Sequence, residues 1–153
     1  MKFSTKSVYG LKALLYLADS YHQRAVPASQ IAKEENISPA YLEQILHQLK
    51  KKQWVKSMRG PAGGYVLAKN PADVRLGAIL RDLEGPNGAA KKAPERSAKA
   101  PNTAGLAALI FWDRLARQYA EWLDTATLKG LLEDARKLQK RDPGAAGRMH
   151  FSI

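Results

Sequence analysis

Cysteine is absent from the 153-residue chain, which excludes disulfides and thiolate-held metals in the chain as written. Histidine is scarce. His22, His47 and His150 lie far apart and show no metal-ligand spacing. No glycine-rich phosphate loop ends in Lys-Ser/Thr, and the isolated serines have no evident base partner, so the expected activity is not enzymatic. No run of 18 apolar residues occurs, and Met1-Lys2-Phe3-Ser4-Thr5-Lys6 is not followed by a signal-peptide core. The expectation is a soluble cytoplasmic protein without a membrane partner. Acidic residues are also few, 14 against 25 Lys and Arg, which leaves a net charge of +11. An excess of this size favours a polyanionic partner, nucleic acid first and an anionic membrane surface as the rival. It is spread evenly: residues 1–85 hold 13 basic and 7 acidic side chains, residues 86–153 hold 12 and 7.

What is present is a core-forming sequence, 45% hydrophobic, long enough for one domain with an added dimerisation segment. Residues 5–21 place Val8, Leu11, Leu15 and Ala18 on one helical face, broadened by Leu14 and Leu17. Gly10 weakens that helix by about 1 kcal/mol relative to alanine and reads as a mark of close packing. Val26-Pro27 breaks the chain. A short helix is expected over 28–35 with Ile31 and Ala32 inward, then a tight turn at Asn36-Ile37. Ser38 is a helix N-cap with Pro39 at the first helical position. The second helix runs to about Lys52 on a buried stripe of Leu42, Ile45, Leu46 and Leu49. Two helices separated by about three residues have helix–turn–helix spacing.

Two β-prone runs, Val55-Lys56-Ser57-Met58 and Val66-Leu67, flank Arg59-Gly60-Pro61-Ala62-Gly63-Gly64-Tyr65. This reads as a β-hairpin with an arginine at its tip. A helix–turn–helix followed by such a hairpin is the layout of a winged-helix nucleic-acid reader, whereas a plain surface hairpin would use its glycines only for the turn. The expected fold is mostly α with a small β-hairpin wing: a winged helix–turn–helix plus a long dimerisation helix.

A short amphipathic helix is expected over 76–83. Residues 85–105 then change to Pro, Gly, Lys and repeated Ala, a composition typical of loops. From about Leu106, Leu109, Trp112, Leu115, Ala116, Tyr119 and Leu123 recur at helical spacing, an apolar and aromatic pattern too long for one small domain to hide alone. Asp124 or Thr125 can cap a last helix with Leu128, Leu131, Leu132, Ala135 and Leu138, ended by Lys140-Arg141-Asp142-Pro143-Gly144. The expected organisation is a DNA-binding domain over 1–84, a sensor-type loop over 85–105, dimerisation helices over 106–140 and a tail over 141–153.

Candidate DNA contacts follow from this layout. Ala40, Tyr41, Glu43 and Gln44 occupy the exposed first turns of the 39–52 helix, which points at base edges in the major groove. Gln44 can pair bidentately with adenine, and Glu43 can accept from a cytosine amino group. Glu43 also repels phosphate, which favours a specificity role over that of a solvated surface carboxylate. Tyr41 can reach a phosphate or a thymine methyl, or can simply pack at the helix start. Arg59 suits the negative potential of a minor groove, with Gly60, Gly63 and Gly64 permitting close backbone approach and Pro61 stiffening the turn. Lys2, Lys6, Lys50, Lys51, Lys52 and Lys56 can neutralise phosphates or serve solubility alone.

Three groups of residues resemble the IscR-type family of bacterial repressors: Met1 to Lys6, Ser38-Pro-Ala-Tyr41-Leu42-Glu43-Gln44, and Val55 to Tyr65. Leu76-Gly77, Leu83-Glu84-Gly85-Pro86, Trp112 and Thr127-Leu128 continue the resemblance over roughly residues 1–132. The family includes regulators of iron–sulfur cluster assembly, a nitric-oxide-sensing repressor and cysteine-metabolism repressors. The resemblance implies a homodimeric transcriptional regulator that reads a pseudo-palindromic operator in double-stranded DNA. It carries the family's base readers to Ala40, Tyr41, Glu43 and Gln44, with Ser38 at the start of their helix, and its minor-groove contact to Arg59 and the neighbouring glycines.

One departure stands out. Cluster-binding members carry three cysteines in the loop before the dimerisation helix, but here that loop contains six alanines between Ala89 and Ala104. Ala93, Ala98 and Ala104 stand at spacings that ligands of a [2Fe-2S] cluster could use. The favoured expectation is the cluster-free, Cys-to-Ala form of a cluster-sensing regulator. The alternative is a naturally cysteine-free repressor controlled by a partner protein or metabolite, whose aromatic C-terminal end the tail Met149-His150-Phe151-Ser152-Ile153 weakly resembles. A reading of another class is a basic helical scaffold that binds RNA or anionic partners without sequence preference.

Overall fold

The computed structural model describes residues 3–85 and 102–145. Lys2, Ala93, Ala98, most of the 85–105 loop and the end of the tail lie outside the described residues. The described chain forms α1 (Thr5–Asp19), α2 (Ala28–Glu34), α3 (Pro39–Lys51), β1 (Val55–Met58), β2 (Gly64–Leu67), α4 (Leu76–Glu84), α5 (Thr103–Thr125) and α6 (Leu128–Arg141).

Helix α1 starts at Ser4, whose hydroxyl accepts from the Ser7 N–H at 3.2 Å. The backbone N–H and hydroxyl of Ser4 both donate to Glu84 Oε1 at 2.8 Å, which ties the start of α1 to the end of α4. Burial pushes the Glu84 carboxyl up, but hydrogen bonds from Ser7 and Ser4 and the nearby Lys6 charge outweigh it and hold the group below its ordinary value. The fully buried face of α1 is Ser7, Gly10, Ala13, Leu14, Leu17 and Ala18. It is rotated from the expected stripe: Val8, Leu11 and Leu15 are only half-buried. They differ because α1 has two sides, one packed on α3 and α4 and the other facing an apolar cavity beside α5 and α6. Gly10 does mark close packing, since a Cβ there would sit 2.7 Å from Leu83 Cδ1 on α4.

The helix–turn–helix follows its expected boundaries. Asn36 takes φ of +52° in the turn, a left-handed conformation that Asn tolerates better than most residues. On α3, Leu42, Ile45, Leu46 and Leu49 are buried as expected. Full burial of such a side chain contributes about 1.5–3 kcal/mol, enough to fix which face of α3 remains outside. Ser38 occupies the N-cap position, but its hydroxyl makes no capping hydrogen bond. Pro39 supplies the helix-starting φ by itself.

Strands β1 and β2 pair antiparallel in the register Val55↔Leu67, Lys56↔Val66, Ser57↔Tyr65 and Met58↔Gly64, so the second strand begins two residues earlier than expected. Tyr65 also bridges to Val26, with N–H to O distances of 2.9 and 2.8 Å. Gly64 makes that bridge possible: at φ of +152°, a Cβ would lie 2.4 Å from the Val26 backbone. The base of the wing is fixed by Trp54, whose indole N–H donates to Asp82 Oδ2 at 2.8 Å, and by the Lys52–Asp82 ion pair at 3.2 Å.

Helix α5 begins at Thr103, capped by Asn102 accepting from the Gly105 N–H at 2.8 Å. The cap of α6 is Thr127, which accepts from the Gly130 N–H at 3.1 Å; neither Asp124 nor Thr125 serves. Asp124 instead pairs with Arg81 at 3.0 Å, and the Thr125 hydroxyl donates back to Glu121 and Trp122 carbonyls within α5. The corner between α5 and α6 is docked on the segment that leads into α4. Leu76 N–H donates to Ala126 O at 2.9 Å, Leu128 N–H donates to Val74 O at 3.1 Å, and Leu128 is completely buried. Of the remaining apolar residues of α6, Leu131, Leu132 and Leu138 are half-buried and Ala135 is exposed.

Helix α5 itself has no fully buried residue. Leu106, Leu109, Ile110, Phe111, Trp112, Leu115 and Trp122 are exposed, Trp112 at 57% and Trp122 at 54%. Tyr119 and Leu123 are half-buried against the apolar cavity of about 340 Å³ between α1, α4, α5 and α6. The Tyr119 hydroxyl is buried there without a hydrogen-bond partner among the described residues, and burial, then the Glu84 charge, pushes its phenol up. Among the described residues, no helix is long and apolar enough to cross a membrane.

Candidate nucleic-acid interface

The buried stripe of α3 dictates its outer face. With Leu42, Ile45, Leu46 and Leu49 turned inward, Ala40, Glu43, Gln44, His47, Gln48 and Lys51 are exposed. The N–H groups of the first helical turn have no intrahelical carbonyl to bind, and the Ser38 hydroxyl beside them is not used as a cap. Helix start, hydroxyl and dipole together suit a phosphate. Tyr41 differs from its neighbours. It is half-buried, belongs to the fringe of the core and meets Tyr9 edge-on with ring centroids 6.0 Å apart, so packing takes up part of its ring.

The wing stands beside this face. Arg59, Gly60 and Pro61 at its tip are exposed, while Gly63 and Gly64 are half-buried toward Met58 and Val26. Gly60 has φ of +111° with open space where a Cβ would be; its role is conformational, whereas Gly64 permits close packing. No side-chain hydrogen bond or ion pair among the described residues engages Arg59, Lys51 or Lys56, which leaves all three cations available to an external anion. Lys50 donates to Ser57 Oγ at 2.6 Å, joining the end of α3 to β1. Lys6 is half-buried and close enough to Glu84 to lower that carboxyl's pKa, so its charge is partly neutralised within the chain.

Two features escape a reading by sequence pattern. The loop after α1 forms one bank of a cleft whose other bank is the wing, bringing His22 and Arg24 alongside Lys56 and Arg59. Tyr65 of β2 donates its hydroxyl to Glu43 Oε2 at 3.1 Å. Burial, then the charge of Glu43 and the hydrogen bond to it, holds the Tyr65 phenol above its ordinary value. The phenol therefore remains a donor throughout the neutral range. Arg24 and Tyr65 have no periodic signal, because the fold and not the spacing brings them to the site.

A helix–turn–helix whose second helix presents a polar face beside an arginine-tipped wing defines a DNA-binding transcriptional regulator. The chain belongs to the Rrf2 family, described as "Iron-dependent Transcriptional regulator", whose model matches residues 3–134. It is similar to the HTH-type transcriptional regulator CymR of Bacillus subtilis, with 35% identity over 86% of this chain and 89% of that protein. The solved structure of CymR, the global cysteine regulator of B. subtilis, superimposes with a TM-score of 0.74 over 86% of this chain and 95% of that one, at 36% identity. The T. potens IscR structure gives a TM-score of 0.70, at 34% identity over 91% of each chain.

The cluster carried by some IscR-type regulators does not fit the donor set of this chain. Iron–sulfur clusters are held mainly by cysteine thiolates, and none exists here. Ala104, in the first turn of α5, is exposed and offers only a methyl group.

Proposed function

We propose that the chain acts as a homodimer on a pseudo-palindromic operator and reads each half-site through two grooves. The first turns of α3 enter the major groove: Gln44 and Glu43 address base edges, Ala40 permits close approach, and Tyr41 both packs and reaches the backbone. The wing enters the adjacent minor groove with Arg59. The Ser38 hydroxyl, Lys51, Lys56, Lys2 and Arg24 meet phosphates, and Lys6 contributes less because it faces Glu84. The observation that carries this reading is the 3.1 Å hydrogen bond from Tyr65 to Glu43, which places the reading helix and the wing on one surface.

Dimerisation is supported by α5, whose large apolar side chains are exposed along most of its length. A patch of this kind marks an interface, and a two-fold symmetric partner presents the same patch in return. Regulation in this chain proceeds without a thiolate-held cluster. That matches the alternative of a repressor governed by a partner or metabolite as well as a chain whose ligand cysteines have become alanine. Incubation with iron and sulfide separates a cluster-free regulator from a cluster sensor: absorbance and operator affinity stay unchanged for the former.

Titration of a selected operator and a scrambled duplex across a salt series tests the reading itself. The operator is expected to bind much more tightly at every salt concentration. Equal affinity for both duplexes would support the non-specific basic scaffold instead. Arg59→Ala should weaken operator binding by about 1–3 kcal/mol, and unchanged affinity would remove the wing from the interface.

A further inference from the structure

We propose that Tyr65 is a positioning residue for sequence discrimination, its hydroxyl holding the Glu43 carboxylate of the reading helix in a single orientation. This rests on Glu43 being a base-discriminating side chain and adds what gives that side chain its selectivity. A glutamate on an exposed helix face has three rotatable bonds and ordinarily spreads over many rotamers. A mobile carboxylate weakens any distinction between neighbouring bases, because it can swing away from an unfavourable partner and toward a favourable one.

In this chain the swing is restricted. Tyr65 donates to Glu43 Oε2 at 3.1 Å, and no hydrogen bond among the described residues occupies Oε1, which remains the acceptor available to a base amino group. No cation pairs with Glu43 among the described residues, so the tyrosine hydroxyl is its one fixed partner there.

The tyrosine is a rigid anchor because three independent features hold it. Its backbone exchanges both hydrogen bonds with Val26. Its strand position is set opposite Ser57, whose hydroxyl is itself held by Lys50 from α3. Its ring packs on the edge of the core. Gly64 allows the approach to Val26 on which this arrangement depends. The wing thus has a second role, because besides carrying Arg59 its rear strand aims a side chain on the reading helix.

The test uses a duplex selected from a random pool by the wild-type protein, together with every single-base-pair variant of that duplex. Equilibrium titration gives the affinity ratio between the selected duplex and each variant. Glu43→Ala identifies the base pair at which Glu43 discriminates. At that pair Tyr65→Phe, which keeps the ring and loses the hydroxyl, should reduce the ratio by roughly threefold to tenfold, the scale of one lost hydrogen bond. Ratios at other pairs should not change, and Tyr65→Phe should have no further effect at this pair in a Glu43→Ala background.

A Tyr65→Phe protein that keeps the wild-type ratio, or that weakens on all duplexes by one common factor, overturns the proposal. If Glu43→Ala itself leaves every ratio unchanged, Glu43 is not a reader, and the underlying assignment fails with it. A readout independent of DNA is the Glu43 carboxyl carbon resonance in the free protein. It should move in Tyr65→Phe, and a resonance that stays in place contradicts the hydrogen bond.

Discussion

Helices α3 and α5 are both long and rich in apolar residues, yet their surroundings are opposite. In α3 four apolar side chains are buried and the remaining face is polar and open. In α5, 23 residues long, no side chain is fully buried and seven large apolar ones are exposed. The difference is between an apolar stripe covered by its own chain and one left open. A helix whose apolar stripe is satisfied by its own domain is held rigidly and can present polar groups to DNA. A helix whose apolar stripe is not satisfied within its own chain is open to a partner surface, which in the proposed homodimer is a second copy that sets the distance between two α3 helices.

The most severe disruption is expected at α5. Trp112→Glu places a charge in the exposed apolar face and should convert the proposed dimer to monomer in sedimentation experiments. Because a monomer holds a single half-site, operator affinity should fall by at least about a hundredfold. A dimer that survives with wild-type affinity would mean that the α5 face has another purpose.

A paired truncation separates the two helices further. Leu46→Ala in α3 empties a fully buried site and should cost about 2–5 kcal/mol of folding stability in denaturant melts. Leu109→Ala in α5 removes a side chain that is 42% exposed; its effect should appear chiefly in the concentration dependence of dissociation. Equal losses of folding stability would show that α5 is a core helix of the monomer.

A smaller effect lies where the start of α1 meets the end of α4. Glu84 has a lowered pKa in the folded state because Ser7 and Ser4 hydrogen-bond its carboxylate. A carboxyl of this kind stabilises the fold above its unfolded-state pKa of about 4.5, and that stabilisation is lost as pH falls through the lower folded-state value. Glu84→Gln should therefore flatten the acid limb of the stability profile below about pH 4.5 and change little at pH 7 beyond the lost charge-assisted hydrogen bonds. An acid limb identical to wild type would exclude Glu84 as its source.

The reading domain was largely legible from sequence because its signals are local. The α3 stripe repeats at helical spacing, Pro39 marks a helix start, and the glycines around Arg59 mark a turn. Legibility declines where the outcome depends on a choice between neighbours. Helix α1 packs on two sides, so periodicity identified its apolar residues but not which of them are fully buried. Asp124, Thr125 and Thr127 are all capping residues within four positions; Thr127 prevails because Ala126 is extended and pairs with Leu76. The contact between Tyr65 and Glu43 spans 22 residues and follows only from the angle at which the wing returns against α3. Helix α5 was legible as a helix with more apolar surface than one small domain can hide, and its apolar side chains are indeed exposed within the chain, although which partner covers them is not written in the periodicity.

If two copies joined through α5 place two α3 helices and two Arg59 wings on one operator, stoichiometry and affinity must change together when the operator is halved. The decisive experiment titrates the intact selected operator against its isolated half-site, with the number of chains per duplex measured by sedimentation. Two chains on the intact operator, and affinity for it at least about a hundredfold above that for the half-site, are predicted. One chain per duplex with equal affinity for both would contradict the dimeric reader.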